Sequence, residues 1–124
     1  MPRVKHSHAL ATTSVLLALV CCVGCNLCKD EIVDKSSAPQ GSLTAVTRTR
    51  DCGATTTETM WVSIQGNPDR KDVVGEHVFV LKRIHRLHVV WKDKDTLVID
   101  CRDCALDEIR LQVAKLGSTR ILYE

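Results

Sequence analysis

From Leu43 to the C-terminus, apolar and polar residues alternate in short runs. Alternation with period two places every second side chain on one face, the pattern of a half-buried strand. "SLTAVTRT" is the first run, from Ser42 to Thr49. "TMWVSIQ" (Thr59 to Gln65) follows, with Met60, Val62 and Ile64 on one face, and then a "GNPD" turn from Gly66 to Asp69. "EHVFVLK" sets Val78 and Val80 against Phe79 and Leu81, and "HRLHVVWKD" groups Leu87, Val89 and Trp91. After the polar turn Lys92 to Asp95, "TLVIDC" offers Leu97, Ile99 and Cys101. "EIRLQVAKL" gives Ile109, Leu111 and Val113, and "TRILYE" closes the chain with Ile121 and Tyr123.

The turns between these runs are mostly too short for a crossover helix, so the pattern predicts an all-β fold. The expected form is a small, mainly antiparallel sheet of about seven strands, sandwich-like or a curled meander. Ala105 to Leu116 is the ambiguous segment. Leu106, Ile109, Val113 and Leu116 would also share a helical face, but the strand reading is preferred over the helix. The four aromatic residues, Trp61, Phe79, Trp91 and Tyr123, all fall in predicted strands and read as packing rather than as a binding surface.

The N-terminus follows a different pattern. Arg3 and Lys5 precede an uncharged, mostly apolar stretch from Ala9 to Val23, and the small residue Gly24 precedes Cys25. This layout is similar to a bacterial lipoprotein signal, with a signal helix at 1–24 and Cys25 as the lipidated first residue of the mature protein. Cys22 stands three places before Cys25, where such signals usually carry an aliphatic residue. Two rivals remain: an uncleaved anchor, because Ala9 to Cys28 is uncharged over the ~20 residues a span needs, and cleavage without lipid. All three place the body outside the cytoplasm, because Arg3 and Lys5 stay inside. The expected division is a signal peptide at 1–24, a tether at 25–41 rich in turn residues (Ser36, Ser37, Pro39, Gly41), and one β domain at 42–124.

Charge changes once the signal is set aside. Removing Arg3 and Lys5 from the 17 Lys and Arg leaves 15, against 15 Asp and Glu. A neutral body lacks the basic face that nucleic-acid binding requires. The expected partners are the membrane, through lipid on Cys25, and an envelope protein or component.

Of the seven cysteines, Cys21 and Cys22 lie in the signal and Cys25 at its end, leaving Cys28, Cys52, Cys101 and Cys104. An even number in an oxidising compartment suggests disulfides. Three connectivities exist, of which Cys28–Cys52 with Cys101–Cys104 is favoured: the first pins the tether to the end of the first strand, and the second is a local bridge. Zinc held by "CNLC" and "CRDC" is the weaker alternative, since the pairs are far apart and Cys25 sits at the cleavage point. A redox-active Cys101/Cys104 pair would want a helix N-terminus in a βαβ setting, and Asp100, Asp103 and Asp107 disfavour a thiolate. His85 and His88, three apart on one strand, would face opposite ways, with His77 on the preceding strand expected across from one of them. Thr55 to Thr57 lack any signposted base or oxyanion site and read as a polar connection. The sequence therefore assigns no catalytic residue, metal ligand or cofactor.

At "RDCGATT", Arg50 to Thr56, the chain resembles a group of uncharacterised bacterial exported proteins and lipoproteins that carry this segment. Cys28-Lys29-Asp30-Glu31, Val62 to Ile64, Val90-Trp91 and Leu97 to Ile99 look like the group's other elements, whereas "SAPQG" replaces its Ser-Pro-Asp-Gly turn. The resemblance implies an extracytoplasmic compartment and pairing of Cys28 with Cys52. It implies no activity. The expectation is a non-enzymatic envelope lipoprotein domain with a binding or structural role. The rivals are a periplasmic thiol–disulfide protein using Cys101 and Cys104, and a metal binder using His77 or His88 with the acidic residues around Asp100.

Overall fold

A computed structural model of the chain describes residues 27–66 and 75–124. The expected signal peptide at 1–24, Cys25, and Asn67 to Asp69 of the expected turn lie outside the described residues. The described part is all-β, two sheets stacked as a small sandwich. The first sheet has the order β1 (Lys29–Ser37), β2 (Thr44–Asp51), β3 (Thr59–Gln65), β4 (Glu76–Lys82), β7 (Ile109–Gln112). The second has the order β5 (His88–Asp93), β6 (Thr96–Asp100), β9 (Thr119–Tyr123), β8 (Lys115–Leu116).

All pairings are antiparallel except β6 with β9, which run parallel. A parallel neighbour needs a long return path. Here that path is β7 in the opposite sheet followed by β8, so the crossover itself belongs to the sandwich.

The alternating residues meet where the pattern predicts. Met60, Val62 and Ile64 of β3, with Phe79 and Leu81 of β4, pack against Val89, Leu97, Ile99 and Ile121 of the second sheet. Each fully buried side chain of that size contributes about 1.5–3 kcal/mol. Val78 is the exception to alternation. The register slips between Val62 and Ser63, leaving Val78 as the extra residue of a bulge, and it is buried together with its neighbour Phe79.

Two expectations change. Residues 29–37, read as part of the tether, form strand β1. Its side chains are nearly all exposed, so it has no apolar alternation to find. Its stability comes from the ladder to β2, the hairpin turn where Ala38 N–H donates to Leu43 O at 2.9 Å, and covalent attachment at its start. The segment 105–116 is extended, as preferred, but as two strands in different sheets after a single 3-10 turn, Leu106–Glu108.

The outer face of the first sheet is tied laterally. Arg50 donates two hydrogen bonds to Asp30, both 2.7 Å, and lies 5.6 Å from the centre of the Trp61 ring. Trp61 meets His77 edge-on at 5.7 Å, and His77 Nδ1 is 3.0 Å from Ser63 Oγ. This row crosses β1 to β4. His77 is therefore in the other sheet from His88, and with His85 in a loop it lies across from neither, contrary to the expectation.

Candidate functional site

Strand β1 is the edge of the first sheet and β5 the edge of the second, and the two edges lie side by side. At the hairpin end they are clasped by Trp91, whose Nε1–H donates to Ser36 O at 2.9 Å. At the other end they part, and a cleft of about 700 Å³ opens between the sheets. The opening is where β1 bulges between Ile32 and Asp34, a kink that turns Val33 and Asp34 into the cleft wall.

Val33, Met60, Ile84 and Leu87 give the cleft an apolar surface. Polar groups surround it: Asp34, Arg86 and His88, and the Asp100 to Asp103 corner. His85 lies in the loop before β5 rather than on a strand, so His85 and His88 reach the same cleft instead of opposite faces. His85 Nε2 is 2.6 Å from Glu108 Oε2, a close contact that lies off the hydrogen-bond direction. Glu108 also meets Arg83 at 3.6 Å.

Asp100 is the informative carboxylate. Its Oδ2 accepts from Arg102 Nε at 3.2 Å, while Oδ1 is buried and has no hydrogen-bond partner among the described residues. A buried acceptor without a partner costs roughly 1–3 kcal/mol. The cleft thus combines an apolar surface with a few directed polar groups, the usual make-up of a recognition site. Among the described residues no three His, Cys, Asp or Glu side chains converge as metal ligands would.

The cysteines bond as favoured: Cys28 with Cys52, and Cys101 with Cys104. The first closes the open end of the β1–β2 pair, one residue beyond the Lys29/Asp51 register position. The second staples the corner after β6, where Cys101 N–H donates to Glu124 O at 3.0 Å and Cys104 N–H to Cys101 O at 3.3 Å. Arg102 and Asp103, the residues inside this small loop, form part of the cleft wall.

The threonine-rich connection is a turn. Gly53 has φ +104, a left-handed conformation that glycine accepts without strain. Its N–H donates to Asp51 Oδ1, and its carbonyl accepts from Thr56 N–H and Thr56 Oγ1, each at 3.2 Å. The hydroxyl is thus engaged in holding the turn.

Sequence reasoning did not find the cleft. Its walls come from β1, β2, β3, the loop before β5 and the corner after β6, which only the tertiary fold joins. A weak signal was present in the apolar pair Ile32-Val33 inside an otherwise polar segment. No protein-family model matches the chain, and no curated protein or solved structure is similar to it.

Proposed function

We propose that this protein is a non-enzymatic, extracytoplasmic module of the bacterial envelope, lipid-anchored at Cys25, that binds an envelope protein or component through the cleft between β1 and β5. The observation that carries the binding role is a cleft of about 700 Å³ that joins an apolar surface to the polar residues Asp34, Arg86, His88 and Asp100. The anchoring role rests on the sequence from Arg3 to Cys25, and disulfides in the body suit an oxidising compartment.

Two experiments test it. Radiolabelled palmitate should enter the wild-type chain and not a Cys25→Ala variant; equal labelling, or none in either, removes the lipid anchor. A photo-crosslinking residue placed at Val33 in intact cells should give a discrete adduct, whereas the same residue at Leu122, on the outer face of the second sheet, should not. Adducts at both positions or at neither overturn the cleft as the binding site.

One observation favours a second reading, a thiol–disulfide protein. The Cys101–Cys104 bridge is half-buried and brackets Arg102 and Asp103, which form part of the cleft wall. The two readings separate by redox titration. A structural bridge has a potential below about −300 mV, whereas known oxidoreductases titrate at roughly −120 to −270 mV.

A further inference from the structure

The two ends of the sandwich are unequal, and the chain determines which end meets the membrane. Strand β1 starts and β2 ends at one of them, where Cys28 is bonded to Cys52. The register brings the start of β3 and the end of β4 to the same end, since Arg50 pairs with Thr59 and Thr59 with Lys82. The start of β7 joins them, because Ile109 pairs with Leu81. His88 at the start of β5 pairs with Asp100 at the end of β6, so the loops 83–87 and 101–108 lie here as well. The opposite end carries the turns at 38–43, 94–95 and 117–118.

Only Asn26 and Leu27 stand between Cys25 and Cys28. An extended chain spans at most ~3.6 Å per residue, so a lipid-bearing Cys25 lies within about 11 Å of the Cys28–Cys52 bridge. An uncleaved span from Ala9 to Cys28 would end at the bridge itself. Strand β1 begins at once, so there is no tether to hold the domain away from the bilayer.

The surface at this end fits that position. Leu27, Ile84 and Leu106 are 75%, 46% and 87% exposed, while the described turns of the opposite end present no exposed large apolar side chain. Ion pairs here join Lys29 to Glu31, Arg50 to Asp30, Arg83 to Glu108 and Arg102 to Asp100, and with Asp51, Glu58, Lys82, Arg86, Asp103 and Asp107 beside them the end carries no excess of basic residues. A face of that kind meets lipid through its apolar side chains, not through attraction of a polybasic patch to anionic headgroups.

We infer that the end carrying Leu27, Ile84 and Leu106 is seated on the bilayer surface, which fixes the cleft mouth beside the headgroups. This rests on the anchored reading above. It makes the occupant of the cleft a molecule presented at the membrane surface.

The test uses the processed protein carrying its native N-terminus, with a nitroxide on Asp107→Cys or on Lys94→Cys, bound to phosphatidylcholine vesicles. At position 107 the label should lose access to an aqueous nickel relaxant and gain access to oxygen dissolved in the bilayer. At position 94 it should do neither. Replacing Leu27, Ile84 and Leu106 together by serine should abolish the shielding at 107 while both disulfides persist. If the anchored protein shows equal aqueous access at 107 and 94, the seating is wrong and the anchor stands. A mass showing neither an acyl group nor a retained span overturns both. Shielding at 107 without vesicles would point to a second protein copy and overturn the lipid assignment.

Discussion

The two sides of the sandwich are closed by different means. On one side the chain itself crosses between the sheets: β7 leaves the first sheet at Gln112 and β8 enters the second at Lys115. Val113 N–H donates to Val78 O at 2.9 Å, and Ile121 N–H to Ala114 O at 2.9 Å. The Tyr123 hydroxyl lies 2.7 Å from Val113 O and 3.1 Å from Val78 O, and its single proton is shared between the two carbonyls. The Tyr123 ring also packs 5.3 Å from Phe79. On the other side nothing covalent joins β1 to β5; the Trp91–Ser36 hydrogen bond spans the gap, and the cleft occupies the rest. Stabilising contacts are thus concentrated where the chain turns the corner, and the less constrained side is the one that carries the cleft.

The difference can be broken in order of effect. Removing the Cys28–Cys52 bridge by a double serine substitution should cost about 3.5 kcal/mol, the chain-entropy value for a loop of that length. The exposed strand β1 should then lose amide protection first. The Cys101–Cys104 bridge closes a far shorter loop, and its removal should cost about 2 kcal/mol. Urea unfolding of both variants checks the pair, and a smaller loss for the Cys28–Cys52 variant would mean that β1 is held without its covalent tie.

Tyr123→Phe comes next. It leaves Val113 O without its hydroxyl donor and should cost about 1–3 kcal/mol. Burial pushes the Tyr123 hydroxyl up to about 12 from an ordinary value of 10.0. The folded form therefore holds this proton more tightly than the unfolded chain. Its contribution is fully present below pH 10 and is lost as pH rises through about 12. Stability measured across that window should fall less steeply for Tyr123→Phe than for the wild type.

Trp91→Phe keeps the ring contact and removes the clasp, for a cost of about 1 kcal/mol. Hydrogen exchange should quicken along β1 and stay unchanged at β7 and β9. The smallest effect belongs to the exposed Asp30–Arg50 pair. The Arg50 guanidinium beside Asp30 holds its carboxyl below the ordinary value, so this stabilisation is present above that value and is lost as pH falls through the lowered one. Asp30→Asn should cost no more than about 1 kcal/mol at neutral pH and flatten that acid-side loss.

The parts of the fold that were legible in the sequence are those held by burial. β3, β4, β5, β6 and β9 each send alternate apolar residues into the core, and that alternation is written in the sequence. The cysteine pairs were legible because few sulfurs remain once the expected signal segment is set aside. Strand β1 was not, since a backbone ladder and one disulfide hold an edge whose side chains face water. Nor was the split of 109–116, where sheet membership changes at Val113 and Ala114 through hydrogen bonds to Val78 and Ile121. His85 was misplaced for a related reason: β5 begins only at His88, so the spacing of the two histidines says nothing about strand faces.

Mass spectrometry of the protein extracted from its native envelope, with free thiols blocked at lysis, tests the central claim most directly. The expected species begins at an acylated Cys25 and carries Cys28–Cys52 and Cys101–Cys104 as intact disulfides. A chain that retains residues 1–24, bears no acyl group and has its four body cysteines blocked as free thiols would contradict it.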